Sequence, residues 1–135
     1  MTKEGPDRDR WRDELDAPPP GTELGPLSEL ADGESLEYRF GRRGRFSMFV
    51  VRRGDDLRAY LNVCPHFGSR LNQGTDSFLT DDGEHIRCTL HQSAFRIEDG
   101  YGFLGEAKGC WLDPVPVAVR DGTMVLGEAG VAGGS

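Results

Sequence analysis

Two short stretches of the chain carry one Cys and one His each. The first reads Cys64-Pro65-His66-Phe67-Gly68-Ser69-Arg70-Leu71-Asn72-Gln73-Gly74, and the second Cys88-Thr89-Leu90-His91-Gln92-Ser93-Ala94-Phe95. Thiolate and imidazole together suit iron or zinc, so four such ligands in two compact loops point to a metal centre. One Cys and one His on each loop lets both Cys bind one metal while both His bind a second. A structural zinc module is the alternative that the ligand types allow. Such a site usually runs Cys, Cys, His, His with the two His on a helix. Here the order is Cys, His, Cys, His, and no helical period surrounds either pair.

The pattern Cys-Pro-His-x-Gly-x-x-Leu-x-x-Gly followed by Cys-x-x-His resembles the Rieske [2Fe–2S] family, and within it the small soluble ferredoxins. The resemblance spans residues 22 to 127 and is strongest at the two loops. It implies one [2Fe–2S] cluster per chain, in which two His replace two Cys on one iron. On that resemblance Cys64 and Cys88 would bind the inner iron, and His66 and His91 the outer one. Gly68 would let the backbone turn tightly behind the cluster, Gly74 would let the loop leave without a Cβ clash, and Leu71 would anchor it in the core. The implied fold is all-β, with small antiparallel sheets and a cluster-binding subdomain of two loops at the tip. The implied function is one-electron transfer from a flavoprotein reductase to a terminal oxygenase. The chain itself would not be an enzyme, because it has no room for the large catalytic domain of the Rieske oxygenases. A redox or nitric-oxide sensor using the same cluster is a second expectation.

The sequence departs from the family at several places. Respiratory members carry an extra Cys on each loop, and Ser69 and Leu90 stand there instead, so no bridging disulfide is expected. The Pro common after the second ligand Cys is Thr89, and the usual Gly after the second ligand His is Gln92. The stretch Gly105-Glu106-Ala107-Lys108-Gly109-Cys110 lacks the proline that often stiffens the covering loop. Ser93 keeps a hydroxyl that respiratory members place near the cluster, whereas Phe95 replaces their Tyr. One hydrogen-bond donor kept and one lost predicts a potential in the lower half of the Rieske range of about −150 to +300 mV.

The elements that must position these loops are short. The 135 residues include 19 Gly and 8 Pro, a density that disfavours long helices and favours strands joined by turns. Alternation or flanking turn signals predict strands over 22–27, 35–40, 47–52, 57–63, 77–80, 86–89, 95–98, 101–104, 115–120 and 123–126. Pro26 marks the first as an edge strand. Asp99-Gly100 and Asp121-Gly122 are hairpin turns, as is Arg53-Gly54-Asp55-Asp56. The strand over 57–63 delivers Cys64 directly, and that over 86–89 delivers Cys88.

Residues 1–20 are charged and Pro-rich, ending in Ala17-Pro18-Pro19-Pro20, and read as a mobile tail. Trp11 and Leu15, four residues apart, are spaced to share one helical turn. Residues 21–127 form the domain, and 128–135 a flexible C-terminal tail. Arg42, Arg43, Arg45, Arg52 and Arg53 read as solvated turn residues, and His85 likewise. The net charge of −7 argues against a nucleic-acid partner and suits docking to a basic one. No apolar run approaches the roughly 18 residues of a membrane span. Three cysteines are too few for a disulfide framework, and Cys110 is left as a small thiol without a role. Together these features predict a soluble cytoplasmic protein.

Overall fold

A computed structural model describes residues 6–65, 68, 70–72, 78–89 and 93–127. The expected C-terminal tail over 128–135 lies outside the described residues. Among the described residues nine strands form three antiparallel three-stranded sheets. They are β1 (Glu23–Pro26), β2 (Ser35–Phe40), β3 (Phe46–Arg53), β4 (Asp56–Leu61), β5 (His85–Cys88), β6 (Ser93–Arg96), β7 (Gly102–Leu104), β8 (Val117–Arg120) and β9 (Thr123–Leu126). The sheet orders are β1-β9-β8, β2-β3-β4 and β5-β6-β7. The all-β expectation is met, with short antiparallel sheets and, among the described residues, one brief α-helix.

The central sheet divides the interior, because successive side chains along β3 point to opposite faces. Met48 and Val50 enter one core with Leu30, Phe46, Ala59, Leu61, Val115, Met124 and Leu126. Phe49 and Val51 enter the other with Tyr60, Leu71, Phe78, Ile86, Phe95, Ile97 and Leu112, and this second core also contains Cys64 and Cys88. Apart from Ser47, the run Phe46–Val51 is therefore apolar on both faces for a reason: each face packs on its own core. Phe49 stacks on Phe78 with ring centroids 4.2 Å apart, which fixes the β5-β6-β7 unit against the central sheet. The Tyr60 hydroxyl donates to the Ile97 carbonyl at 2.6 Å across the same boundary.

Turn chemistry sets the registers. Gly54, with φ +62°, is the first central residue of the two-residue β3–β4 turn, which pairs Arg53 with Asp56. Asp121 and Gly122 both take positive φ, 53° and 78°, in the β8–β9 turn that pairs Arg120 with Thr123. Between Leu79 and Ile86 only an isolated bridge forms, so the strand expected over 77–80 is reduced to one pairing.

Three expectations need correction. Residues 6–20 are packed on the domain, not trailing from it. Trp11 in α1 (Arg10–Asp13) is 1 % exposed and belongs to the first core, and Pro18 is also buried. Buried Asp113 holds this segment from the far end of the chain: it accepts from the Asp7 backbone N–H at 2.8 Å and from Arg10 Nη1 at 3.0 Å. The helical turn does not place Leu15 beside Trp11, since it ends at Asp13 and Leu15 is exposed. His85, expected in a turn, opens β5 opposite Arg96 and lies half-buried against the Phe103 ring, with centroids 4.8 Å apart. Ring packing and ladder pairing explain a placement that the adjoining Asp81-Asp82-Gly83-Glu84 turn obscured.

Candidate metal centre

Cys64 follows β4 by three residues and Cys88 is the last residue of β5, so strands from two different sheets deliver the two thiols. Both are wholly buried in the same core, and neither forms a disulfide. The Gly68 N–H donates to the Cys64 carbonyl at 2.7 Å, closing the tight turn that its φ of +76° permits. Leu71, fully buried in the same core, anchors this loop as expected. His66 and His91 lie outside the described residues, as do Ser69, Gly74, Leu90 and Gln92.

The two loops are strapped together at the residue where the sequence departs from the family. Thr89 donates to the Leu71 carbonyl twice, from its backbone N–H at 2.9 Å and from its hydroxyl at 3.0 Å. A proline at 89 could make neither bond. The departure therefore supplies a direct link between the segment after Cys64 and the segment after Cys88.

A polar network beneath the first loop escaped sequence reasoning. Asn62 is 1 % exposed, and its Oδ1 accepts from the Leu71 N–H at 2.9 Å. Its Nδ2 donates to Ser47 Oγ and to Asn72 Oδ1, each at 3.0 Å. Glu37 on β2 completes the brace by accepting from Ser47 Oγ at 2.5 Å, Asn72 Nδ2 at 3.0 Å and Arg39 Nε at 2.8 Å. These residues come from separate segments with no common spacing; only the β2–β3–β4 register brings them together. Burial alone would raise the Glu37 carboxyl, but the hydrogen bonds from Arg39, Ser47 and Asn72 outweigh it and hold it below its ordinary value of 4.5. A lowered folded-state value means that the stabilisation is full above that ordinary value and is lost as pH falls through the lowered one. Glu37→Gln should therefore melt below the wild type near neutral pH, with the gap closing below about pH 4. A gap that stayed constant through an acid series of melting curves would remove Glu37 ionisation from the brace.

The second loop is fixed from β6. Ser93 pairs directly with Cys88 across the β5–β6 ladder, so their side chains lie on the same face of the sheet. Ser93 is wholly buried, and its Oγ accepts from the Ala107 N–H at 3.1 Å. Gly105, with φ +82°, approaches so closely that a Cβ there would meet Ser93 Cα at 2.7 Å. The covering loop needs no proline, because this approach and the Ala107 bond hold it. The Ser93 hydroxyl is thus held in place on the same face as Cys88. Phe95, in place of Tyr, is wholly buried in the apolar core. Cys110 is half-buried, its carbonyl accepting from the Gly102 N–H at 2.8 Å.

Two buried thiols outside any disulfide, on loops strapped to each other, fit the cysteine half of a [2Fe–2S] ligand set. Among the described residues no three or more His, Cys, Asp or Glu are grouped as a metal would need. Among them, too, no helix is long and apolar enough to cross a membrane.

Comparison with known proteins agrees with this geometry. The Rieske [2Fe-2S] domain matches residues 22–117. The ferredoxin of carbazole 1,9a-dioxygenase from Nocardioides aromaticivorans IC177 is similar in fold, with a TM-score of 0.62 and 20% identity over 80% of this chain and 97% of that one. A chain from the complex of reduced oxygenase and oxidized ferredoxin in carbazole 1,9a-dioxygenase is 28% identical over 79% of this chain and 93% of that one, with a TM-score of 0.59. The terminal oxygenase of carbazole 1,9a-dioxygenase from Novosphingobium sp. KA1 shares the fold over only 28% of its own length, at 17% identity and a TM-score of 0.62. No curated protein matches the sequence. With its domain match across 22–117 and its two buried cysteines on facing loops, the chain belongs to the Rieske [2Fe–2S] family.

Proposed function

We propose that this protein is a one-electron carrier in which Cys64, His66, Cys88 and His91 hold one [2Fe–2S] cluster. When bound, such a cluster accepts and releases a single electron. The observation that carries the reading is the pair of buried thiols on loops joined by the Thr89–Leu71 bonds. Around them, Phe78, Ile86 and Phe95 exclude water, while Asn62 and Glu37 fix the first loop from below. We assign a flavoprotein reductase as electron donor and an oxygenase as acceptor. The oxygenase half of this assignment is supported by similarity to the ferredoxin of carbazole 1,9a-dioxygenase and to a chain from an oxygenase–ferredoxin complex. We place the carrier in the cytoplasm. Electron paramagnetic resonance of the reduced holoprotein tests the centre: a Rieske spectrum is expected, whereas an all-Cys spectrum or a silent zinc protein would overturn it.

Ser93 is the tuning group in this proposal. A hydroxyl donor beside the cluster sulfurs favours the reduced state, which carries one more negative charge. Ser93→Ala should lower the reduction potential by tens of millivolts, where ~59 mV is a tenfold change in a one-electron equilibrium. A redox titration at fixed pH that returned an unchanged or raised potential would show that Ser93 does not tune the centre.

A further inference from the structure

Arg42, Arg43 and Gly44 form a kinked turn between β2 and β3. The turn is held at both ends. At its start the Arg42 N–H donates to Asp16 Oδ2 at 3.2 Å, and Gly41 lies so close to Asp16 that a Cβ there would collide with it. At its end the Arg70 guanidinium donates to the Gly44 carbonyl at 2.9 Å. Arg70 precedes Leu71 in the first cysteine loop, so the arginine turn is tied to the segment that carries Cys64. Arg43 takes φ +58°, a left-handed conformation that a bulky side chain adopts at a cost of about 1 kcal/mol or more.

The charges divide unevenly across this edge. Arg45 pairs with Asp16 at 3.5 Å, Arg39 with Glu37 at 2.8 Å, and Arg70 approaches Glu37 at 3.8 Å. Arg42 and Arg43 are exposed and have no ion pair among the described residues. Two uncompensated cations thus stand beside the cysteine loop of a chain whose net charge is −7. A partner in contact meets the charge within a Debye length, about 8 Å at 0.15 M salt, so at this edge the local sign prevails over the net one. We propose that Arg42 and Arg43 are a docking patch for the carboxylates of the carrier's redox partner protein. The proposal rests on the electron-carrier reading and sharpens it: the net charge suits a basic partner, but the contact at this edge is acidic.

The test uses the full-length reduced holoprotein in stopped flow, with ferricyanide as a small anionic oxidant. One electron leaves the protein and converts ferricyanide to ferrocyanide. Oxidation of the wild type should slow roughly three- to tenfold as salt rises from about 0.01 to about 0.15 M, whereas net charge alone predicts acceleration. Arg42→Gln with Arg43→Gln should lower the low-salt rate by a similar factor and abolish or reverse the salt effect. Poly-glutamate, standing in for an acidic protein face, should slow the wild type and leave the double variant unaffected. A wild-type rate that rises with salt, or a double variant that matches the wild type, overturns the patch. Slowing by a short single-stranded RNA but not by poly-glutamate assigns the arginines to nucleic acid and also overturns it. A protein lacking the Rieske resonance signal refutes the carrier reading itself, so the two failures are distinguishable.

Discussion

Alanine at Cys64 or at Cys88 is expected to yield a protein without iron. Both thiols are wholly buried in one core, and no other cysteine lies there to replace them. The iron held by the two thiols would be left one ligand short, and His66→Ala and His91→Ala should act in the same way on the other iron. Ligand binding and folding are coupled, so these variants should also melt at lower temperature than the holoprotein. Cys110→Ala is the control. Cys110 stands half-buried outside that core and should leave iron content, visible absorbance and the resonance spectrum unchanged. Iron and sulfide assays on the purified set decide the matter. Full iron content with an unchanged spectrum in any one of the four ligand variants would remove that residue from the ligand set.

The family was the most legible part of the sequence, because metal chemistry demands particular residue types at close spacing. The hairpins were legible for a similar reason: Asp121-Gly122 takes two positive φ angles that few other dipeptides tolerate. The double-sided burial of β3 is compatible with its apolar run, although the run alone does not say which core each face meets. What stayed hidden depends on contacts between remote segments. Glu37, Ser47, Asn62 and Asn72 are ordinary polar residues until strand register gathers them under the first loop. Thr89 looked like a loss relative to proline, yet its two donors meet a carbonyl 18 residues away. The N-terminal segment read as a tail because its charge and prolines dominate local composition. Its anchors, buried Trp11 and the distant Asp113, are invisible to a local window.

Those anchors predict a large stability effect far from the metal centre. Trp11 fills the core that Leu30, Phe46, Met48, Val50, Met124 and Leu126 line, and Gly127 packs so tightly on it that a Cβ there would meet Trp11 Cη2 at 2.8 Å. Trp11→Ala should destabilise the domain by about 3–5 kcal/mol, the usual cost of removing a large buried aromatic with incomplete collapse around the cavity. For a domain of this size that loss lowers the melting temperature on the order of 10 °C or more. Trp11→Phe should cost much less, since it keeps most of the ring volume and removes an indole N–H that has no partner among the described residues. The cysteines occupy the other core, on the opposite face of β3, so folded Trp11→Ala should retain its iron and its resonance spectrum. The measurement is calorimetric or circular-dichroism melting of the three holoproteins, with iron content determined in parallel. A detached tail predicts no change in melting temperature for Trp11→Ala, and that result would undo the packing described for residues 6–20. Loss of iron without loss of stability would instead mean that the two cores are not energetically separate.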